Sequence, residues 1–180
     1  MKALRRSARR GVQCLIVTAL VVAGGTVSGG FSGPDRWTRV EISDAITRYA
    51  VQWSLEAADE WLKSPGCETM FSEFHDRQGR PLTAALSAFG VSGREYLNRI
   101  LFVDGSAFEM CHFENTLAFT TPGSRVVLVC GRTFARKWET DQTTATAIVL
   151  HETLHSLGLG ENPPSSTSIT LRVQLLCGNR

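Results

Sequence analysis

The chain has 180 residues, 43% of them hydrophobic and 20% charged, with 19 basic against 17 acidic side chains and a formal charge of +2. That composition excludes a mainly disordered or collagen-like chain. Lys2, Arg5, Arg6, Arg9 and Arg10 all fall in residues 1–30 without one acidic group, leaving 14 basic against 17 acidic groups over 31–180, a net −3 that speaks against a nucleic-acid binder.

Those five cations precede an apolar run, Val12–Ala23, and a small-residue stretch from Gly24 to Gly30. This is the order of a secretory signal peptide over residues 1–30, with cleavage expected at about 25–33. The run falls short of the ~20 apolar residues a spanning helix needs, so an uncleaved membrane anchor is the weaker alternative. Cys14 stands at the start of the run, badly placed for lipidation, and the residues after Arg9-Arg10 match a twin-arginine signal poorly.

Residues 31–180 are expected to form a single domain, of a size that supports its own core. Ser43 opens a helical pattern through Ile46, Ala50, Trp53, Ala57 and Trp61, read as a core stripe that stops near Ser64-Pro65-Gly66. Gln78-Gly79-Arg80-Pro81 reads as a turn, 82–89 and 93–99 as short helices, and Ile100–Val103 as a strand ended by Asp104-Gly105. Thr116–Thr121 and Arg125–Cys130 are strands joined as a hairpin by Pro122-Gly123-Ser124. Thr140-Asp141 caps a helix through Ala145, Ile148, Val149 and Leu154 that stops at Gly158; a last helix runs from Ser165–Thr167 to about Cys177. The fold class is α+β with a small, mostly antiparallel sheet.

An exported domain with Cys67, Cys111, Cys130 and Cys177 suggests two disulfides in one of three connectivities. The expected pairs are Cys130–Cys177 and Cys67–Cys111. No paired C-x-x-C spacing for a structural zinc knuckle is present.

The chemistry concentrates in His151-Glu152-Thr153-Leu154-His155. Histidines at i and i+4 share a helix face and can meet one ion, and the glutamate beside them can exchange protons with water on that ion. Chance produces this pattern in about one chain in 200 of this composition, and apolar neighbours mark a buried helix rather than an exposed histidine pair. A catalytic zinc takes three protein ligands and water. After His155 there is no His, Asp or Tyr, so Glu161 and Cys177 are the candidates for the third. Glu161 follows Gly158 by three residues, and a reversal at Gly158 brings it back under the histidines. The bland reading of Glu161 is a decorated turn before Pro163-Pro164.

His151, Glu152 and His155 resemble the motif of zincin metallopeptidases, and Gly158 matches the glycine of the metzincin branch, H-E-x-x-H-x-x-G-x-x-H/D. The stretch His151–Ser166 also resembles secreted bacterial zincin-like proteins. The resemblance covers about 15 residues and implies a zincin-like fold with a long N-terminal helix and a metal-binding active-site helix. It places Glu161 as third ligand, where metzincins carry His or Asp, and it lacks a methionine turn, since Met occurs only at 1, 70 and 110. Glu161 is too close to the motif for a gluzincin, and no Asp follows Asp141 for an aspzincin. Peptide deformylases share the motif and an upstream cysteine ligand, but Glu109-Met110-Cys111-His112-Phe113 does not match their cysteine box.

By resemblance, strand 116–121 or 125–130 aligns a substrate backbone by strand addition. No oxyanion-stabilising residue is legible: Tyr49 and Tyr96 lie in no recognisable motif, Arg172 reads first as a surface charge, and His75 and His112 read as surface histidines. The expectation is a secreted or periplasmic, monomeric zinc endopeptidase. It holds one Zn2+ on His151, His155 and Glu161, uses Glu152 as general base, and acts on peptides or proteins, with no nucleic-acid partner and no membrane span after processing. The alternative is a secreted binding or structural domain whose zinc only stabilises the fold.

Overall fold

The computed structural model describes residues 40–178, so the expected signal segment and its anchor alternative lie outside the described residues. In chain order the elements are β1 (Val40–Glu41), α1 (Ala45–Trp61), α2 (Pro65–Glu68), α3 (Met70–Glu73), α4 (Leu82–Phe89), α5 (Gly93–Leu97) and β2 (Leu101–Asp104). A 3-10 turn at Glu109–His112 follows, then β3 (Ala118–Phe119), β4 (Val126–Val129), α6 (Gly131–Thr140), α7 (Gln142–Ser156) and α8 (Ser166–Cys177).

The class is α+β, but the sheet departs from the expected one. Its strand order is β1-β2-β4-β3; β1/β2 and β2/β4 are parallel, and only the β3/β4 hairpin is antiparallel. The cause is connectivity. Helices α1 to α5 separate β1 from β2, and a crossover of that length returns the chain in the same direction. The two-residue β1 carries no period-2 signal. In α6, Phe134 and Trp138 supply only two apolar anchors in a run otherwise rich in charge, and no helix was anticipated there.

Local chemistry sets the helix ends. Asp44 accepts the Thr47 N–H at 2.7 Å and starts α1. Ser92 and Glu95 form a reciprocal capping box on α5. Helix α1 buries Thr47, Ala50, Val51, Ser54, Leu55 and Ala58, then Leu62. The core stripe is therefore rotated from the expected one: Ile46 is exposed, and Trp53, Ala57 and Trp61 are half-buried. Small residues on the inner face let α1 approach α6 and α7, against which it packs. The bulky Trp53 lies beside Trp138 of α6, with ring centres 6.1 Å apart. Asp59 of α1 is buried and takes two hydrogen bonds from Arg94 of α5, at 2.6 and 2.8 Å.

Helix α7 is the centre of the core. Every residue from 149 to 157 is buried, so the C-terminal half of the helix is covered on all sides. Its buried hydroxyls are satisfied locally: Thr153 donates to the Val149 carbonyl at 2.8 Å and Ser156 to that of Thr153 at 2.7 Å.

The disulfides are Cys67–Cys177 and Cys111–Cys130, with Cα separations of 4.5 and 5.0 Å, which corrects both expected pairs. Helix α2 packs on α8, placing Cys67 against the last turn of the chain. Cys130, at the end of β4, meets the 3-10 turn that carries Cys111. Two disulfides favour an extracellular environment. Among the described residues, no helix is long and apolar enough to cross a membrane.

Candidate metal centre

Asp141 starts α7 by accepting the Thr144 N–H at 3.0 Å and the Thr144 hydroxyl. The hydroxyl bond first, then the amide, holds the Asp141 carboxyl below the ordinary aspartate range. Two turns further on, His151 and His155 point the same way, with their Nε2 atoms 2.9 Å apart.

The chain then reverses. The N–H groups of Gly158 and Leu159 donate to His155 and Leu154 carbonyls at 2.8 and 3.1 Å. Gly158 has φ +114°, a conformation L side chains rarely adopt, so glycine is required there. The reversal places Glu161 Oε1 3.2 Å from His155 Nε2 and 3.4 Å from His151 Nε2. All three donor atoms lie within 4.8 Å of one another. Donors at zinc-like bond lengths around one tetrahedral cation stand about 3.3 Å apart. The set of two imidazole nitrogens and one carboxylate oxygen therefore fits a small divalent ion, and His151, His155 and Glu161 could hold one.

The far side of each ring is anchored. His155 Nδ1 lies 2.8 Å from the Leu159 carbonyl, which only accepts, so Nδ1 carries the proton and Nε2 is left to face the His151 and Glu161 donors as a candidate metal ligand. His151 Nδ1 meets the Thr170 hydroxyl of α8 at 2.9 Å. Burial first, then neighbouring His155, lowers the pKa of His151 to about 4 against an opposing pull from Glu161. The shift favours the neutral ring, the form in which a histidine binds metal.

Glu152 is buried and projects toward the hairpin rather than into the triad. Its carboxylate accepts the backbone N–H of Thr120, just beyond β3. Its Oε2 has no hydrogen-bond partner among the described residues. Desolvation, reinforced by the charge of Glu161, raises its pKa to about 8; a cation in the triad would pull it back down. A cleft of about 480 Å³ opens over Glu152 and the triad, with residues 115–120 along one wall and Arg77, Met110 and Ile148 at its margins. A second cleft of equal volume, between Asp44, Asp104 and α6, holds no metal-ligating cluster among the described residues.

The other candidates fall elsewhere. Tyr96 is buried and donates to the Ser156 carbonyl at 3.0 Å, anchoring the end of α7 outside the cleft. Tyr49 is exposed and packs edge-on against Trp138. Arg172 pairs with Glu73 at 2.7 Å on the surface, and His75 and His112 are exposed. Cys177 and Cys111 are oxidised, which removes the first as a third ligand and the second as a deformylase-type ligand. Thr170, the Leu159 carbonyl and the Thr120 amide were not foreseen, because a hydroxyl 19 residues away and two backbone groups carry no motif. Comparison with protein-family models, curated proteins and solved structures finds no match in any of the three.

Proposed function

We propose that the chain is an exported zinc-dependent metallopeptidase, a metzincin-like variant with Glu161 as third ligand. The observation that carries this reading is Glu152. A buried carboxylate with one unpartnered oxygen costs stability wherever it is not used, and this one stands beside a three-donor metal cluster at the floor of a cleft. A bound zinc would polarise a peptide carbonyl and make a coordinated water acidic. Glu152, which lines the same cleft as the triad, would be the group that accepts a proton there and passes it to the leaving amine. Edge strand β3 lies along the cleft, where an extended peptide can add as a further strand.

The alternative, a purely structural zinc, favours a closed shell of four protein donors. The cluster has three among the described residues, and a structural site has no use for Glu152.

The test is zinc content and cleavage of unstructured protein substrates. The purified domain should hold one zinc per chain. Glu152→Gln should keep it while cleavage falls by about 10²–10⁴-fold. Protein without stoichiometric zinc, or a Glu152→Gln variant as fast as wild type, overturns the proposal.

A further inference from the structure

The cleft holds one charged group that this chemistry does not use. Arg77 is the only cation lining it among the described residues. Arg80, Arg94 and Arg172 are each paired with a carboxylate. Arg77 is exposed and makes no side-chain hydrogen bond or ion pair among the described residues.

Its position is nevertheless built. The Asp76 carboxylate accepts the N–H groups of Gln78 and Arg80 at 2.8 and 3.0 Å and the Arg80 Nε at 2.8 Å. The Asp76 N–H donates back to the Arg80 carbonyl at 2.8 Å, closing the loop on itself. Arg77 follows Asp76 in this closed turn, and Asp76 pairs with Leu159 as an antiparallel bridge. The Arg77 stem then crosses Gly160: a Cβ on that glycine would stand 3.4 Å from Arg77 Cγ and 3.5 Å from Nε. The guanidinium is thereby carried beside the turn that delivers Glu161, without an ion pair to it.

The electrostatics assign it a partner. Glu152 and Glu161 are the acidic groups of the cleft, and a divalent ion held by the triad would offset their charge. Arg77 then remains as an uncompensated cation on the cleft wall. A guanidinium is a planar fork suited to two parallel hydrogen bonds to a carboxylate.

We infer that Arg77 is a carboxylate-binding subsite of this cleft, which selects peptides carrying a carboxylate near the cleaved bond. The source is an acidic side chain or a free C-terminus, since both present the same group. The inference deepens the metallopeptidase reading and rests on it.

The experiment uses the zinc-loaded full domain with Glu152→Gln, so that peptides bind without being cut. Three hexapeptide pools are compared at low salt: amidated with a fixed glutamine, amidated with a fixed glutamate, and the glutamine pool with a free C-terminus. At least one carboxylate pool should bind about tenfold tighter than the neutral one. Tighter binding of the glutamate pool identifies a side chain as the source; tighter binding of the free-acid pool identifies the chain end. Adding Arg77→Gln should bring the ratio to about one. Arg77→Lys should keep part of it, and Arg136→Gln, on α6 in the second cleft, should leave it intact. Equal affinities for all pools, no binding by any, or a ratio that survives Arg77→Gln overturns the inference. The same pools with wild-type domain test the wider reading separately. Cleavage without a carboxylate preference removes the role of Arg77 alone, and an Arg77-dependent preference without cleavage removes the peptidase.

Discussion

Thr170 shows how much of the proposed metal site lies outside its candidate ligands. The hydroxyl holds the His151 ring by Nδ1 at 2.9 Å, and such outer contacts fix ring orientation and donor basicity. Its removal leaves both histidines in place but frees one of them to turn. Thr170→Val keeps the shape of the side chain and should lower zinc affinity about tenfold or more, measured by competition with a chromogenic chelator. Thermal stability of the zinc-free protein should change little, since Thr170 is only half-buried. Unchanged zinc affinity would show that α8 plays no part in the centre.

Among elements, α7 determines whether the centre exists, and its start depends on Asp141. Asp141→Ala should destabilise the domain by about 1 kcal/mol, read as a lower unfolding midpoint in urea. The pH dependence has a definite sign. The folded carboxyl lies below its ordinary 3.8, so the cap contributes fully above that value and the contribution is lost as pH falls through the folded pKa. Asp141→Asn also caps but does not titrate. The advantage of wild type over Asp141→Asn should therefore shrink on acidification, while the depressed carboxyls of Asp44, Asp76 and Glu95 cancel in the comparison. A difference independent of pH would mean that Asp141 is not the cap.

The same element explains what could be read in advance. Helix α7 was legible because cap, apolar spacing and stop glycine are local signals, and the His151, Glu152, His155 and Glu161 constellation is local too. Other features were settled by partners distant in sequence. The two-residue β1 takes its direction from β2, the cysteine pairs depend on α2 meeting α8, and Arg77 reaches the cleft only because Asp76 bridges to Leu159. In α1, the tryptophans dominated the hydrophobic pattern, but close helix packing selected the small-residue face instead.

At the scale of the whole molecule, the proposed metal and the disulfides would act on different parts of one core. The buried apolar cluster, which includes Val51, Leu55, Phe71, Leu97 and Leu150 and reaches Leu154 and Leu159 beside the triad, is built without the candidate ligands themselves, so loss of zinc should weaken the domain without abolishing its fold. Zinc at about a thousand times its Kd contributes about 4 kcal/mol, and chelation should lower Tm by about 10 °C with unfolding still cooperative. The disulfides divide the remaining task. Cys67–Cys177 closes a separation of 110 residues and Cys111–Cys130 one of 19, worth about 4–5 and 3 kcal/mol of unfolded-chain entropy. The longer one also ties down α8, which carries Thr170, whereas the shorter one fixes the segment that leads into β3. Paired Cys67→Ser and Cys177→Ser substitutions should therefore cost more stability and weaken zinc binding as well. Paired Cys111→Ser and Cys130→Ser substitutions should retain zinc and slow peptide cleavage, because they loosen the cleft wall rather than the ligands. Calorimetry, zinc competition and cleavage rates on the two variants decide the matter. Equal zinc affinities in both would mean that α8 is held in place by packing alone.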